Sequence, residues 1–154
     1  MTDMNQKISD HFSLKEMCRS QTAIRQGIDN TPGPIEIECM VELARAILEP
    51  VRMQFGKPFT PSSGFRSASL NKAIGSKPSS QHCLGRAVDF EIGGIANDEV
   101  ARWIKDNLEF DQLILEFYDG IDPNSGWIHV SYVSPEYNRR ESLVYHGKSY
   151  TSFE

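Results

Sequence analysis

The sequence predicts one α+β domain, with N-terminal helices packed on a mostly antiparallel sheet. Three observations carry that expectation. The chain has 154 residues, enough for a single domain that buries roughly two-thirds of its unfolded surface. A long helical repeat, from about Ile35 to Phe55, fills the first half of the chain. Three runs of β type, Ala87–Ile92, Gln112–Phe117 and Trp127–Val133, follow in the second half.

Each element has a local reason. Ser13 and Glu16 form an S-x-x-E capping box, so a short helix begins near Leu14. Gln21–Gly27 reads as a second short helix ending at its glycine, and Asn30–Pro34 as a turn. In the long helix, Pro34 suits the first turn, Gly56 suits the end, and Ile35, Cys39, Leu43, Ile47 and Val51 make one apolar stripe. Pro50 predicts a kink or break one turn before that end.

Pro58–Ser63 reads as a short strand leading into Gly64, Ser67–Ile74 as a helical turn and Gly75–Gln81 as a loop. A helix is expected at about Asn97–Asn107, between the first two strands. The tail 142–153 reads as a hairpin turning at His146-Gly147. There is no internal repeat, low-complexity tract or linker, so residues 1–154 form one domain.

Bulk properties narrow the function. Net charge is −5 with no basic run, which excludes a nucleic-acid footprint of clustered Lys and Arg. The opening residues MTDMNQKISDHF lack the apolar core of a signal peptide, and no run reaches membrane-spanning length. The expectation is a monomer made in the cytoplasm without a signal peptide and never inserted in a membrane. A substrate beyond the membrane would then be reached after release, or as part of a phage particle. Cys18, Cys39 and Cys83 show no metal-type spacing and read as small buried hydrophobes.

Side chains alternate faces along a strand, so counting by two shows which residues share a surface. Val88, Phe90 and Ile92, then Leu113, Leu115 and Phe117, then Ile128 and Val130 point to the core. That leaves Asp89 and Glu91, then Gln112, Ile114 and Glu116, then Trp127, His129 and Ser131 on the opposite face. His82 enters on a loop just ahead of the first strand. Two histidines and a carboxylate match a catalytic zinc, which takes three such protein ligands and leaves a position for water. Spacing alone leaves the other reading open, since a strand histidine is often a packed core or surface residue.

The segments S-G-F-R-S (63–67), S-Q-H-C-L-G-R-A-V-D-F (80–90) and W-I-H-V-S-Y (127–132) add to this. They resemble the zinc D-alanyl-D-alanine carboxypeptidase-like peptidases, a family of bacterial D,D-peptidases and phage endolysins with a structural relative in the hedgehog signalling domain. The pattern S-x-H-x-x-G-x-A-x-D is met by Ser80, His82, Gly85, Ala87 and Asp89. The opening region, from His11 to Pro32, is similar to the phage-associated branch.

The resemblance implies a hedgehog/D,D-peptidase-like fold and one zinc per chain, held by His82, Asp89 and His129. It implies that Arg66 binds the substrate, at a carboxylate or at the scissile carbonyl, and that Ser80 and Trp127 line the cleft. Ser80 reads equally as a hydroxyl capping its own loop. The implied activity is hydrolysis of an amide bond in peptidoglycan peptides, of carboxypeptidase or endopeptidase type.

One position departs from the pattern. Many relatives place the catalytic acid three residues before the last histidine, where this chain has Gly126. Glu116, ending the neighbouring strand on the ligand face, is the substitute this reading favours; Asp119 and Asp122 in the following loop compete with it. Gly126 also keeps a second function open: a zinc-holding phage particle component or wall-binding module without turnover.

Overall fold

The computed structural model describes residues 2–154. Helix α1 (Leu14–Cys18) starts where Ser13 Oγ accepts from the Glu16 amide at 3.2 Å and Glu16 accepts from the Ser13 amide at 3.1 Å. Helix α2 (Gln21–Gln26) closes on Gly27 in the left-handed region. The long helix is α3 (Pro34–Leu43), a π-helical turn (Ala44–Leu48) and α4 (Glu49–Phe55), all joined in helical conformation.

The π turn is the form the expected interruption at Pro50 takes. Proline has no N–H to give the carbonyl four residues earlier, and its ring presses on that carbonyl, so the ladder widens in the preceding turn. The apolar stripe also differs from the expected one. Met40, Leu43, Ala44, Ile47, Leu48 and Val51 are buried, whereas Ile35 is 71% exposed. A strict i+4 stripe drifts by ~40° per step on a 3.6-residue helix, so its first member rotates away from the core.

The expected strand at Pro58–Ser63 does not form. Pro58 and Pro61 bring no amide hydrogens to a ladder. Only its end pairs: the Asp89 amide donates to Ser63 O at 2.7 Å, and the Ser62 amide donates to Asp89 O at 2.8 Å. Helix α5 (Ala68–Ala73) is capped by Ser67, and a 3₁₀ turn (Gln81–Leu84) by Ser80.

The sheet holds β1 (Ala87–Phe90), β2 (Gln112–Glu116), β3 (Trp127–Ser131), β4 (Glu141–Tyr145) and β5 (Tyr150–Ser152), in the order β1-β3-β2-β4-β5. Only β2 and β4 pair in parallel. Helix α6 (Asn97–Asn107) links β1 to β2 and packs on the sheet. The tail forms the expected hairpin, β4 with β5.

Val88, Phe90, Leu113, Leu115, Ile128 and Val130 are fully buried against the helices. Burying each such side chain contributes about 1.5–3 kcal/mol relative to leaving it in water. Phe117 was expected to join them and does not. It takes φ +58 beyond the end of β2, is 48% exposed, and meets Trp127 and Tyr145 with ring centroids 5.3 Å away. The chain turns there, so the alternation stops one residue early. Among the described residues no helix is long and apolar enough to cross a membrane.

Candidate active site

Register places the chemistry. Asp89 on β1 sits opposite His129 on β3, which sits opposite Ile114 on β2; Glu116 sits opposite Trp127. The two backbone bonds from Ser62 and Ser63 hold Asp89 at the edge of the sheet. His82 is delivered by the 3₁₀ turn, which closes on Gly85 at φ +73. A Cβ on Gly85 would come within 2.5 Å of the Glu36 carbonyl, so glycine lets this turn pack against α3.

One ligand atom from each of His82, Asp89 and His129 lies within 4.8 Å of the others. His129 Nδ1 is 2.9 Å from Asp89 Oδ1, and His82 Nε2 is 3.4 Å from the same oxygen. Bonds of ~2.0–2.1 Å in a tetrahedral zinc site set ligand atoms ~3.3–3.4 Å apart. The His82–Asp89 separation matches that edge, and the His129–Asp89 pair, now at hydrogen-bond distance, would open by about 0.4 Å to admit the ion.

Tautomer chemistry fits it too. His82 Nδ1 is 2.7 Å from the Gly64 carbonyl, which only accepts, so Nδ1 carries the hydrogen. In a neutral His82 the lone pair of Nε2 then faces a carboxylate oxygen, in a pocket where His82 and Asp89 are buried. Two facing acceptors need a cation between them, either a proton or a metal. A histidine whose other nitrogen is tied to a backbone carbonyl is the usual arrangement of a metal ligand. Burial opposes charge on Asp89, but hydrogen bonds with His129 and His82 outweigh it and hold the carboxyl well below the usual carboxylate range.

Arg66 stands beside this triad. Its Nη2 is 3.7 Å from Asp89 Oδ2, its Nε donates to Ser63 Oγ at 3.1 Å, and its amide donates to His82 O at 3.1 Å. Ser80 stands in the cleft wall, and its Oγ accepts from the His82 amide at 3.2 Å. Trp127 lines the cleft and donates from Nε1 to Glu116 Oε2 at 2.7 Å.

Glu116 lies in the same cleft, with its pKa raised above the ordinary glutamate value by burial and partly offset by His129. Asp119 and Asp122 do not line it. Asp119 Oδ1 accepts from the amides of Ile121 and Asp122, and Asp122 Oδ1 from that of Asn124, so both shape their own loop. Glu91 turns away as well, accepting from Asn97 Nδ2 at 3.1 Å. Gly126 has φ +64, and a Cβ there would fall 1.8 Å from the Glu116 carbonyl oxygen.

The cleft measures about 460 Å³. Gln112 joins its lining from the face that counting by two gave it. Other lining residues were not read from the sequence: Gln81, the tail residue Tyr150, and Arg139, which pairs with buried Asp111. Asp111 and Arg139 are 28 positions apart and share no motif, so no sequence signal joins them.

No curated protein matches the chain. The family model described as Peptidase M15 matches residues 10–131, which runs from the N-terminal turns to the end of β3 and includes every residue of the triad together with Arg66 and Glu116. A match over most of the chain is a family assignment: the protein belongs to the peptidase M15 family.

Proposed function

We propose that this chain is a zinc peptidase that hydrolyses an amide bond in peptidoglycan peptides, serving wall lysis or remodelling in the manner of a phage endolysin. The observation that carries the reading is one cleft holding both a His-Asp-His set, with His82 and Asp89 buried, and a separate carboxylate, Glu116. His82 Nε2, Asp89 Oδ1 and His129 Nδ1 would hold the ion. Zinc bound there would polarise the scissile carbonyl and acidify water.

The remaining work belongs to the chain's own side chains. Trp127 fixes Oε2 of Glu116, so Oε1 is the oxygen that takes a proton from the attacking water and returns it to the leaving amine. Partial burial makes that carboxylate a stronger proton acceptor than an ordinary glutamate. Arg66, held by Ser63, presents guanidinium N–H groups to the carbonyl oxygen as charge builds on it, or to a neighbouring carboxylate. Ile114 supplies an apolar floor between the polar walls.

The rival reading is a wall-binding module or particle component that keeps the ion without turnover, and Gly126 is what favours it. Glu116 weighs against it, because a pure binding module has no use for a half-buried carboxylate beside the triad. A zymogram over purified peptidoglycan tests the choice. Clearing by the native protein and none by Glu116→Gln supports the peptidase; no clearing by zinc-loaded native protein overturns it. Masses of the released products then identify the bond.

A further inference from the structure

The cleft has a direction. The row containing Asp89, His129 and Ile114 crosses its middle, with Glu116 toward one end of β2 and Gln112 toward the other. Strand rise places each of those two side chains ~7 Å from the middle row. On the peptidase reading above, the leaving amine must come within reach of Glu116. The acyl half of the substrate then runs the other way, toward Gln112.

At that end stands Arg139, eight residues beyond the stretch matched by the family model. Asp111, directly before Gln112, is 2% exposed and grips one edge of the guanidinium: Nε donates to Oδ1 at 2.9 Å and Nη2 to Oδ2 at 2.7 Å. The Arg139 amide donates to Oδ1 at 2.9 Å, and Gln81 Nε2 donates to Oδ2 at 2.8 Å. That buried carboxylate therefore fixes both Arg139 and the residue next to His82.

The grip uses two of the five guanidinium N–H donors. Among the described residues Nη1 has no hydrogen-bond partner, and the Arg139 side chain is 55% exposed in the wall of the cleft. What remains is a rigid fork, its rear edge spent on Asp111 and its front edge open. A fork of that kind matches a carboxylate bidentately, and its pre-organisation lowers the entropy lost on binding. A clamp whose only task was to tie down the tail would gain nothing from an open edge in the cleft.

We propose that Arg139 binds a carboxylate on the acyl half of the substrate, about two extended residues before the scissile bond, and so sets specificity. The ligand class is an anionic peptide whose acyl side carries a free carboxyl group. The direction of the substrate rests on the peptidase reading; the binding of the carboxylate does not.

The test uses zinc-loaded protein in a Glu116→Gln background and calorimetric binding of soluble muropeptides. These are taken before and after their carboxyl groups are amidated with carbodiimide and excess ammonia. Amidation is expected to weaken binding roughly tenfold more in the protein with Arg139 than in Arg139→Gln, since a charge-assisted pair is lost only in the former. Removing one partner leaves Asp111 buried and unpaired, so the double variant Asp111→Asn/Arg139→Gln is measured alongside. It is expected to lose the same discrimination. Equal ratios with and without Arg139, or no effect of amidation on either, overturn the proposal. Cleavage by protein with Glu116 intact is scored separately: no cleavage, with the discrimination intact, counts against the peptidase reading and supports the role of Arg139.

Discussion

The Glu116 carbonyl oxygen occupies the space that a side chain on Gly126 would need, 1.8 Å from the ideal Cβ position. With φ at +64, residue 126 is also in a backbone region that favours glycine. The position that bears the acid in many relatives is therefore closed here. Gly126→Ala should cost at least ~2 kcal/mol through strain and clash, a fall in Tm of at least ~4 °C for a domain this size. Gly126→Glu in a Glu116→Gln background should restore no activity. A Gly126→Ala protein as stable as the native one in a thermal melt would contradict the packing argument.

Glu116→Gln keeps the size of the side chain and can still accept from Trp127 Nε1, but it cannot take a proton. It should bind zinc and wall fragments as the native protein does and lose at least ~10² in turnover, the usual scale for a lost general base. Asp119→Asn and Asp122→Asn should stay near the native rate, because both carboxylates serve the 119–125 loop. A dead Asp122 variant beside an active Glu116→Gln would move the base to the loop.

The metal set predicts about one zinc per chain, with His82→Ala, Asp89→Ala and His129→Ala each losing it. Because the ion binds the folded site and not the unfolded chain, zinc at 100 times its dissociation constant should stabilise the fold by ~2.7 kcal/mol. Chelation should lower Tm accordingly. Full zinc occupancy in His129→Ala would remove that residue from the set.

Much of this site was legible because strands count by two. Asp89, Glu116 and His129 share a face for that reason alone, and the register then puts Asp89 directly across from His129. The helical pattern likewise located the long helix. What could not be read was set by groups distant in sequence or by backbone exceptions. Pro50 announces an interruption but not that it becomes a π turn, because the ladder's response depends on how the buried side chains on that helix pack. Phe117 fits the strand alternation and yet leaves it, since its positive φ is imposed by the turn into the 117–126 loop. The Asp111–Arg139 pair joins the start of β2 to the tail, and no local pattern encodes such a contact.

Arg66→Ala should leave zinc bound and cut turnover by roughly 10²–10³, the loss seen when one oxyanion donor is removed. Ser63 receives the Arg66 Nε hydrogen, so the guanidinium plane is fixed before substrate arrives. Arg66→Lys keeps the charge but loses the planar fork and should recover little of the rate. Native kcat/KM in the lysine variant would show that a point charge suffices.

Asp111 gives the domain a specific acid sensitivity. Hydrogen bonds from the Arg139 side chain lower its pKa from 3.8 to about 2, against the opposing effect of burial. A folded pKa below the unfolded one means the unfolded chain binds a proton more readily. The resulting stability is fully present above about pH 4 and is lost as pH falls through about 2. At neutral pH it amounts to roughly 2 kcal/mol. Asparagine resembles a protonated aspartic acid in shape and charge, so Asp111→Asn should be less stable than the native protein by about that amount from pH 7 to 5. Denaturant midpoints measured at successively lower pH should then converge, the gap shrinking to a small fraction by about pH 2 and closing below it. A gap that stayed constant down to that pH would mean the stability at Asp111 comes from packing and neutral hydrogen bonds, with no part for its charge.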